Sequence, residues 1–209
     1  LEATLHKDKP ESYTKDINKV VKGLKIGIPK EFISGISSEV KEVFEKAVKE
    51  FEALGAEIVE VSLPHTEYGI AAYYIIQPSE VSSNLARYDG IRYGSARQNF
   101  GEEAKRRIML GTYTLSSGYY EAYYLKAMQA RTLIKKDFDE VFKKVDILLT
   151  PVSPTLPFKI GEKATDPLQM YLSDIFTVTA NLAGLPGLAI PSGKVNNLPV
   201  GFQVLGPQF

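Results

Sequence analysis

Residues 24–61 read LKIGIPKEFISGISSEVKEVFEKAVKEFEALGAEIVEV, and their pattern predicts the fold class. Its two ends, 24–28 and 56–61, alternate apolar and polar residues, which is typical of β-strands. Ser37 or Ser38 can cap the helix predicted between them. The apolar residues of that helix recur on one face: Val40, Val43, Phe44, Ala47, Val48, Phe51 and Leu54. A strand, a helix and a second strand in this order predict an α/β sheet.

The rest of the chain continues the alternation of helices and strands. Helical spacing predicts helices over 65–87, 102–144 and 172–182, the second of them bent near residues 116–118. Three apolar runs predict strands, and the first two are apolar enough to be buried on both faces: 146–150, 188–190 and 200–205. Because we find no internal repeat or low-complexity tract, we expect one domain over residues 1–209.

Composition excludes several classes of function. The 209 residues carry 25 basic and 25 acidic side chains, so the chain has no strong positive field for direct nucleic-acid binding. The absence of cysteine excludes disulfides, thiol catalysis and cysteine-ligated zinc, and it fits a cytoplasmic protein. The start of the chain, residues 1–25, is too charged for a signal peptide. Residues 175–193 are uncharged, but they contain proline and glycine residues unsuited to lipid, so we expect no membrane contact.

Common catalytic motifs are missing from the sequence. The two histidines, His6 and His65, lie far apart, and neither accompanies a G-x-S-x-G turn. No phosphate-binding glycine motif occurs, and we expect no metal site and no cofactor in this chain. Ser116 and Ser117 lie inside a helical pattern, where small residues favour a bend or a close helix contact over a nucleophile.

Two charged positions remain of interest. Lys105, Arg106 and Arg107 form a basic triplet, for which a solvated helix face is the simpler interpretation. Asp174 is the one charged residue between Asp166 and Lys194. An acid in such an apolar stretch is either a cap or the partner of a cation, because a buried unpaired carboxylate is costly.

Several segments together carry a resemblance to a known family. They are KRRIMLGT at 105–112, SSGYYEAYY at 116–124, LLTPVSPT at 148–155, DPL at 166–168, ANLAGLPG at 180–187 and LPVG at 198–201. In this order the chain resembles the amidase-signature enzymes. Within them it is similar to the glutaminase (A) subunits of glutamyl-tRNA(Gln)/aspartyl-tRNA(Asn) amidotransferases.

The resemblance implies an α/β fold in which a mixed central sheet is covered by helices on both faces. It also implies hydrolysis of the glutamine side-chain amide by a serine, a bridging serine and a lysine, with backbone N–H groups holding the oxyanion. Those three catalytic residues belong upstream of Leu1. We therefore expect residues 1–209 to be the C-terminal portion of the amidase domain, with no catalytic residue of its own.

The resemblance carries over three substrate-binding residues. Arg107 corresponds to the arginine that binds the α-carboxylate of glutamine, and Asp174 to the aspartate that binds its α-ammonium group. A tyrosine lining the same site corresponds to Tyr73, although Tyr74 adjoins it. A forked guanidinium suits a carboxylate, and a carboxylate suits an ammonium group, so both side chains should point into one cleft.

The resemblance also implies partners. We expect B and C subunits, with ATP and magnesium in a partner subunit and tRNA bound through the complex rather than by this chain. The choice between Glu-tRNA(Gln) and Asp-tRNA(Asn) stays open. Two alternatives stay open as well: a stand-alone amidase acting on a small amide, and a non-catalytic fragment.

One departure from the family lies between Gly94 and Gly101, where the family has a longer polar segment. We predict either a break or disordered loop near Gly94 and Ser95, or a true deletion.

Overall fold

The computed structural model describes residue 14 and residues 21–90, 92–163 and 166–208. In this part of the chain five strands form one sheet: β1 (Lys25–Pro29), β2 (Glu57–Val61), β3 (Ile147–Pro151), β4 (Gly187–Val195) and β5 (Leu198–Leu205). The α-helices are α1 (Lys30–Ile33), α2 (Ser38–Ala53), α3 (Gly69–Leu85), α4 (Glu102–Thr114), α5 (Leu125–Val141), α6 (Pro167–Leu172) and α7 (Val178–Ala183). Short 3-10 turns at Pro64–Tyr68 and Arg97–Asn99 and a π-helical turn at Tyr120–Tyr124 complete the elements.

The sheet is mixed, with strand order β2-β1-β3-β5-β4. Strand β1 pairs in parallel with β2 and β3, whereas β5 pairs antiparallel with β3 and β4. Helix α2 connects β1 to β2 as the strand–helix–strand pattern predicts. Ser37 caps α2, since its Oγ accepts a hydrogen bond from the Val40 N–H at 3.4 Å.

Helices cover both faces of the sheet because successive side chains of each strand point to opposite sides. On β3, Leu148 packs in one core with Phe138 of α5, and Leu149 packs in a second core with Phe44 of α2. The first core also takes in residues of α1, α3 and α7, among them Phe32, Ile76 and Ala180. The prediction of a mixed central sheet with helices on both faces is confirmed.

Two predictions of local structure are wrong. Strand β4 is not buried, since Leu188 is 63% exposed. The physical reason is that β4 is the edge strand of this sheet and α2 is the main helix that packs on it, so much of its surface has no helix over it. The helix predicted over 172–182 is two short helices, α6 and α7, separated by a turn at residues 173–177.

The segment before α4 is irregular. Residues 92–94 bend, Gly94 has a φ of +92°, and a single 3-10 turn precedes Phe100. The break or deletion near Gly94 and Ser95 stays a prediction. Nowhere in the described residues is there a helix of the length and hydropathy needed to cross a membrane.

Helices α3 and α4 approach each other unusually closely at Gly111. A Cβ atom placed on Gly111 would lie 1.9 Å from the Pro78 carbonyl oxygen and 2.7 Å from the Ser79 nitrogen. Pro78 is fully buried inside α3 and has no N–H to donate to the Tyr74 carbonyl one turn earlier. The backbone of α3 is therefore the surface on which α4 packs.

We expect Gly111→Ala to destabilise the chain by about 1–3 kcal/mol, because the added methyl group forces the two helices apart. At an exposed helix position the same change would stabilise by about 1 kcal/mol, so the sign of the effect tests the contact. The measurement is the free energy of unfolding in urea. Gly35→Ala is the control, since a methyl group added at Gly35 would lie 3.9 Å from its nearest neighbour, the Phe176 ring. Equal effects of the two substitutions would contradict the close contact.

Candidate functional site

Arg107 lies on the face of α4 that packs against α3, one turn before Gly111. Its side chain is 24% exposed. Nη1 donates a hydrogen bond to Oε1 of Gln77 at 3.2 Å, and Nε donates one to Oε1 of Glu103 at 2.7 Å. The guanidinium carbon lies 5.1 Å from the ring centre of Tyr74, which is within cation–π range. Thus α3 and α4 together orient this guanidinium group.

Asp174 lies in the turn between α6 and α7, and its side chain is exposed. Its backbone carbonyl accepts hydrogen bonds from the N–H groups of Thr177 and Val178 at 2.9 and 3.0 Å, and from the Thr177 hydroxyl at 3.0 Å. Its Oδ2 accepts a long hydrogen bond from the Tyr74 hydroxyl at 3.4 Å. The turn is tightly bonded, while the carboxylate remains open to solvent.

Tyr74 brings these two charged residues together, since Arg107 contacts its ring and Asp174 its hydroxyl. Burial, and then the negative charge of Asp174, raise the pKa of Tyr74 to about 12, whereas the charge of Arg107 opposes that shift. Tyr73 instead packs against the core on the α3–α5 side, with its ring 5.1 Å from that of Tyr74 and nearly perpendicular to it. The geometry thus favours Tyr74 over Tyr73 as the wall of the site, and the substrate-binding roles stay predictions.

Tyr171 belongs to the same side-chain cluster and was not singled out by the sequence. Its ring stacks on that of Tyr74, with centres 3.8 Å apart and planes 24° apart. Arg106 hydrogen-bonds the Tyr171 hydroxyl and lies 5.6 Å from its ring centre. Its position in the sequence could have indicated this contact. Tyr171 lies three residues before Asp174, and residues three apart lie on the same side of a helical turn.

Glu103 joins the two arginines of the cluster. It accepts hydrogen bonds from Arg106 and Arg107. Both bonds lower the pKa of the Glu103 carboxyl group, the bond from Arg106 most strongly, although partial burial opposes this shift. Among the described residues the carboxylate partner of Arg107 is therefore Glu103 rather than Asp174. The interpretation of the basic triplet as a solvated face holds for Lys105, which pairs at 3.5 Å with Glu102 on the surface.

The other polar candidates have structural roles. His65 lies in the first turn of the 3-10 helix before α3, where its backbone N–H and Nδ1 contact the two carboxylate oxygens of Asp137 at 2.8 and 2.9 Å. The Ser116 hydroxyl donates to the Tyr113 carbonyl at 2.6 Å where α4 ends, and Gly118 has a φ of +83° in the following bend. In the described ranges no cluster of three or more His, Asp or Glu side chains could hold a metal ion.

A cavity of about 470 Å³ lies next to α6 but does not include Arg107 or Asp174. Ser173 and Lys163 line it, and Lys163 Nζ donates a hydrogen bond to the Ser173 hydroxyl at 2.8 Å. The charged cluster around Tyr74 is thus a surface site beside this cavity.

Comparison with known proteins decides the family. The sequence profile of the family described as Amidase matches residues 2–209. This chain belongs to the amidase family.

Several curated relatives of this amidase-family chain are A subunits of glutamyl-tRNA(Gln) amidotransferases. The subunit from Heliobacterium modesticaldum is 55% identical over 213 residues, which take in 94% of this chain and 44% of that protein. The subunit from Fusobacterium nucleatum is 50% identical over 224 residues, which take in 100% of this chain and 46% of that protein. The crystal structure of the Thermotoga maritima subunit superimposes with a TM-score of 0.73 at 49% identity, covering 91% of this chain and 40% of that one.

The chain therefore spans less than half the length of these relatives. The matched region of the Fusobacterium relative is also longer than the 209 residues of this chain, so that relative has residues here that this chain lacks. The shortened segment between Gly94 and Gly101 stays a prediction.

The Tyr74 pKa predicts a pH dependence of stability. A tyrosine in an unfolded chain has a pKa of about 10. Because the folded-state pKa of about 12 is higher, the contribution of Tyr74 to folding is complete below pH ~10 and is lost as the pH rises towards 12. The free energy of unfolding of the wild type, relative to Tyr74→Phe, should fall across that range when measured in urea.

Asp174→Asn should lower the Tyr74 pKa in tyrosinate absorbance titrations. If the difference in unfolding free energy between the wild type and Tyr74→Phe stays constant between pH 10 and 12, the raised pKa of Tyr74 is contradicted.

Proposed function

We propose that this chain is the C-terminal portion of the glutaminase subunit of a tRNA-dependent amidotransferase. In this proposal it binds the glutamine that is hydrolysed to supply ammonia for transamidation of misacylated Glu-tRNA(Gln) or Asp-tRNA(Asn). The main support for this proposal is that Arg107 and Asp174 both contact Tyr74, Arg107 through the ring and Asp174 through the hydroxyl. The names of relatives that match over nearly the whole chain support it.

A zwitterionic amino acid fits the charges of the cluster. Its carboxylate would accept two parallel hydrogen bonds from the Arg107 guanidinium, and its ammonium group would donate to Asp174. Glu103 occupies one edge of the guanidinium at 2.7 Å, and Gln77 approaches a second nitrogen at 3.2 Å. These contacts use two of the five N–H donors of the guanidinium, so a substrate carboxylate would bind the remaining donors or replace one of these contacts.

The chemical steps belong to residues outside this chain in the proposal. The serine nucleophile, the bridging serine and the lysine implied by the family resemblance lie in the preceding portion of the relatives' longer sequence. The described residues bind and orient the α-amino-acid end of glutamine, which places the side-chain amide for attack. A stand-alone amidase for an uncharged amide would not need both Arg107 and Asp174.

The proposed complex includes B and C subunits, of which one supplies ATP and magnesium chemistry, and tRNA is bound through the complex. We propose a cytoplasmic location, since the acceptor is an aminoacyl-tRNA.

In the complete enzyme, Arg107→Ala should weaken the use of glutamine by about 2–5 kcal/mol, because the substrate carboxylate loses its charged partner. Ammonia-dependent transamidation should be retained, since ammonia needs no such contact. The measurement is kcat/KM for glutamine beside the rate with ammonium chloride. Lys105→Ala removes a neighbouring positive charge from the same helix and serves as the control. If Arg107→Ala and Lys105→Ala behave alike, the glutamine site is elsewhere.

The 209-residue chain alone should show no glutaminase activity, because removal of a catalytic nucleophile typically costs ~10⁶-fold in rate. Ammonia release from glutamine by the purified chain is compared with release by the same chain joined to the preceding portion of the subunit. Turnover by the short chain above a heat-inactivated sample would show that it contains a nucleophile of its own.

A further inference from the structure

Gln203 is a buried polar residue of the central sheet. It lies on β5, opposite Thr150 of β3 and Ala189 of β4, and is 7% exposed. Its Nε2 donates a hydrogen bond of 2.8 Å to the backbone carbonyl of Phe176. Glutamine is rarely buried unless its amide is bonded, so this contact explains its position.

The Phe176 carbonyl belongs to the turn that carries Asp174. The Phe176 ring is 2% exposed and packs on Phe32 of α1, with ring centres 5.1 Å apart. The backbone of Phe176 is held from the sheet by Gln203, and its ring is held from the helical layer by Phe32. This residue therefore anchors the turn at residues 173–177 to both layers of the fold.

The anchor reaches Asp174 through a short bonded path. The Asp174 carbonyl accepts from Thr177 N–H and Val178 N–H, which closes the turn on the far side of Phe176. A shift of the Phe176 carbonyl must therefore move the backbone of Asp174. The Asp174 side chain itself is exposed, and its hydrogen bond to Tyr74 is 3.4 Å long, so the backbone supplies most of its positioning.

We propose that Gln203 is a positioning residue of the glutamine site: it fixes Asp174 through the Phe176 carbonyl without touching the substrate. This inference rests on the proposed function. An apolar side chain of the same size would fill the space but leave the buried carbonyl without a donor. The turn would then rearrange to find another partner, and the carboxylate would move away from the position that faces an ammonium group. Misplacement of a binding group by about 1 Å is enough to cost up to ~10²-fold in kcat/KM.

The test uses Gln203→Met and Gln203→Asn in the complete enzyme with its partner subunits. Methionine keeps the length and loses the donor, whereas asparagine keeps the amide but is too short to reach Phe176. Both should raise KM for glutamine about tenfold, leave kcat for glutamine within about twofold, and preserve ammonia-dependent transamidation. Gln208→Met is the matched control, since it removes a similar amide donor from the Gly184 carbonyl, beyond the other end of α7.

Each outcome bears on the inference. An unchanged KM in both variants, while the wild type uses glutamine normally, overturns the role of Gln203 and leaves the proposed function intact. Equal losses of glutamine-dependent and ammonia-dependent activity, or failure of both variants to fold, would show a role in general stability and also overturn it. If the wild type uses ammonia but not glutamine, the proposed function fails and this inference fails with it.

A KM increase in Gln208→Met as large as in the Gln203 variants would overturn the specific role of Gln203, because any loosening near α7 would then have this effect.

Discussion

The contact between Gly111 and the Pro78 carbonyl sets the distance between α3 and α4, and the candidate site depends on that distance. Arg107 lies one turn before Gly111 on the same face of α4. The close approach of the two helices at Gly111 therefore also holds the Arg107 guanidinium against the Tyr74 ring. With a larger residue at this point, α4 would stand farther from α3. The long arginine side chain could still reach outwards, but it would lose the packing that fixes its direction.

The two charged groups of the site have different supports. Arg107 depends on helix-on-helix packing, whereas Asp174 depends on a turn anchored to the sheet through Phe176. The stacked rings of Tyr74 and Tyr171 lie between these supports and link α3 to α6. Aromatic stacking holds ring orientation at a low entropic cost, because each tyrosine side chain has few rotatable bonds. A ligand that bridges both charges would therefore meet groups whose spacing is largely set before it binds.

The sequence predicted the parts of the fold that depend on local pattern. Periodicity placed β1, α2 and β2, and a resemblance placed Arg107 and Asp174, which the structure brings together at Tyr74. The sequence did not predict that β4 is exposed, because an apolar run has the same pattern in an edge strand as in a central strand. It also did not separate Tyr73 from Tyr74. Helix α3 buries side chains on several faces, so adjacent tyrosines give no periodic signal that selects one of them.

Charge balance favours the zwitterion of the proposed function over a simple amide. The positive charges of Arg106 and Arg107 are matched by the negative charges of Glu103 and Asp174, and Tyr74 adds none, because its pKa is about 12. A neutral zwitterion leaves that balance unchanged while it gains a charged contact at each end. The Glu103 side chain is 53% exposed, so a substrate carboxylate that displaces Glu103 from Arg107 would return the Glu103 carboxylate to water. An uncharged amide would gain neither contact and would leave both charged groups partly desolvated, and sites of this kind discriminate most strongly against ligands that leave their polar groups unpaired.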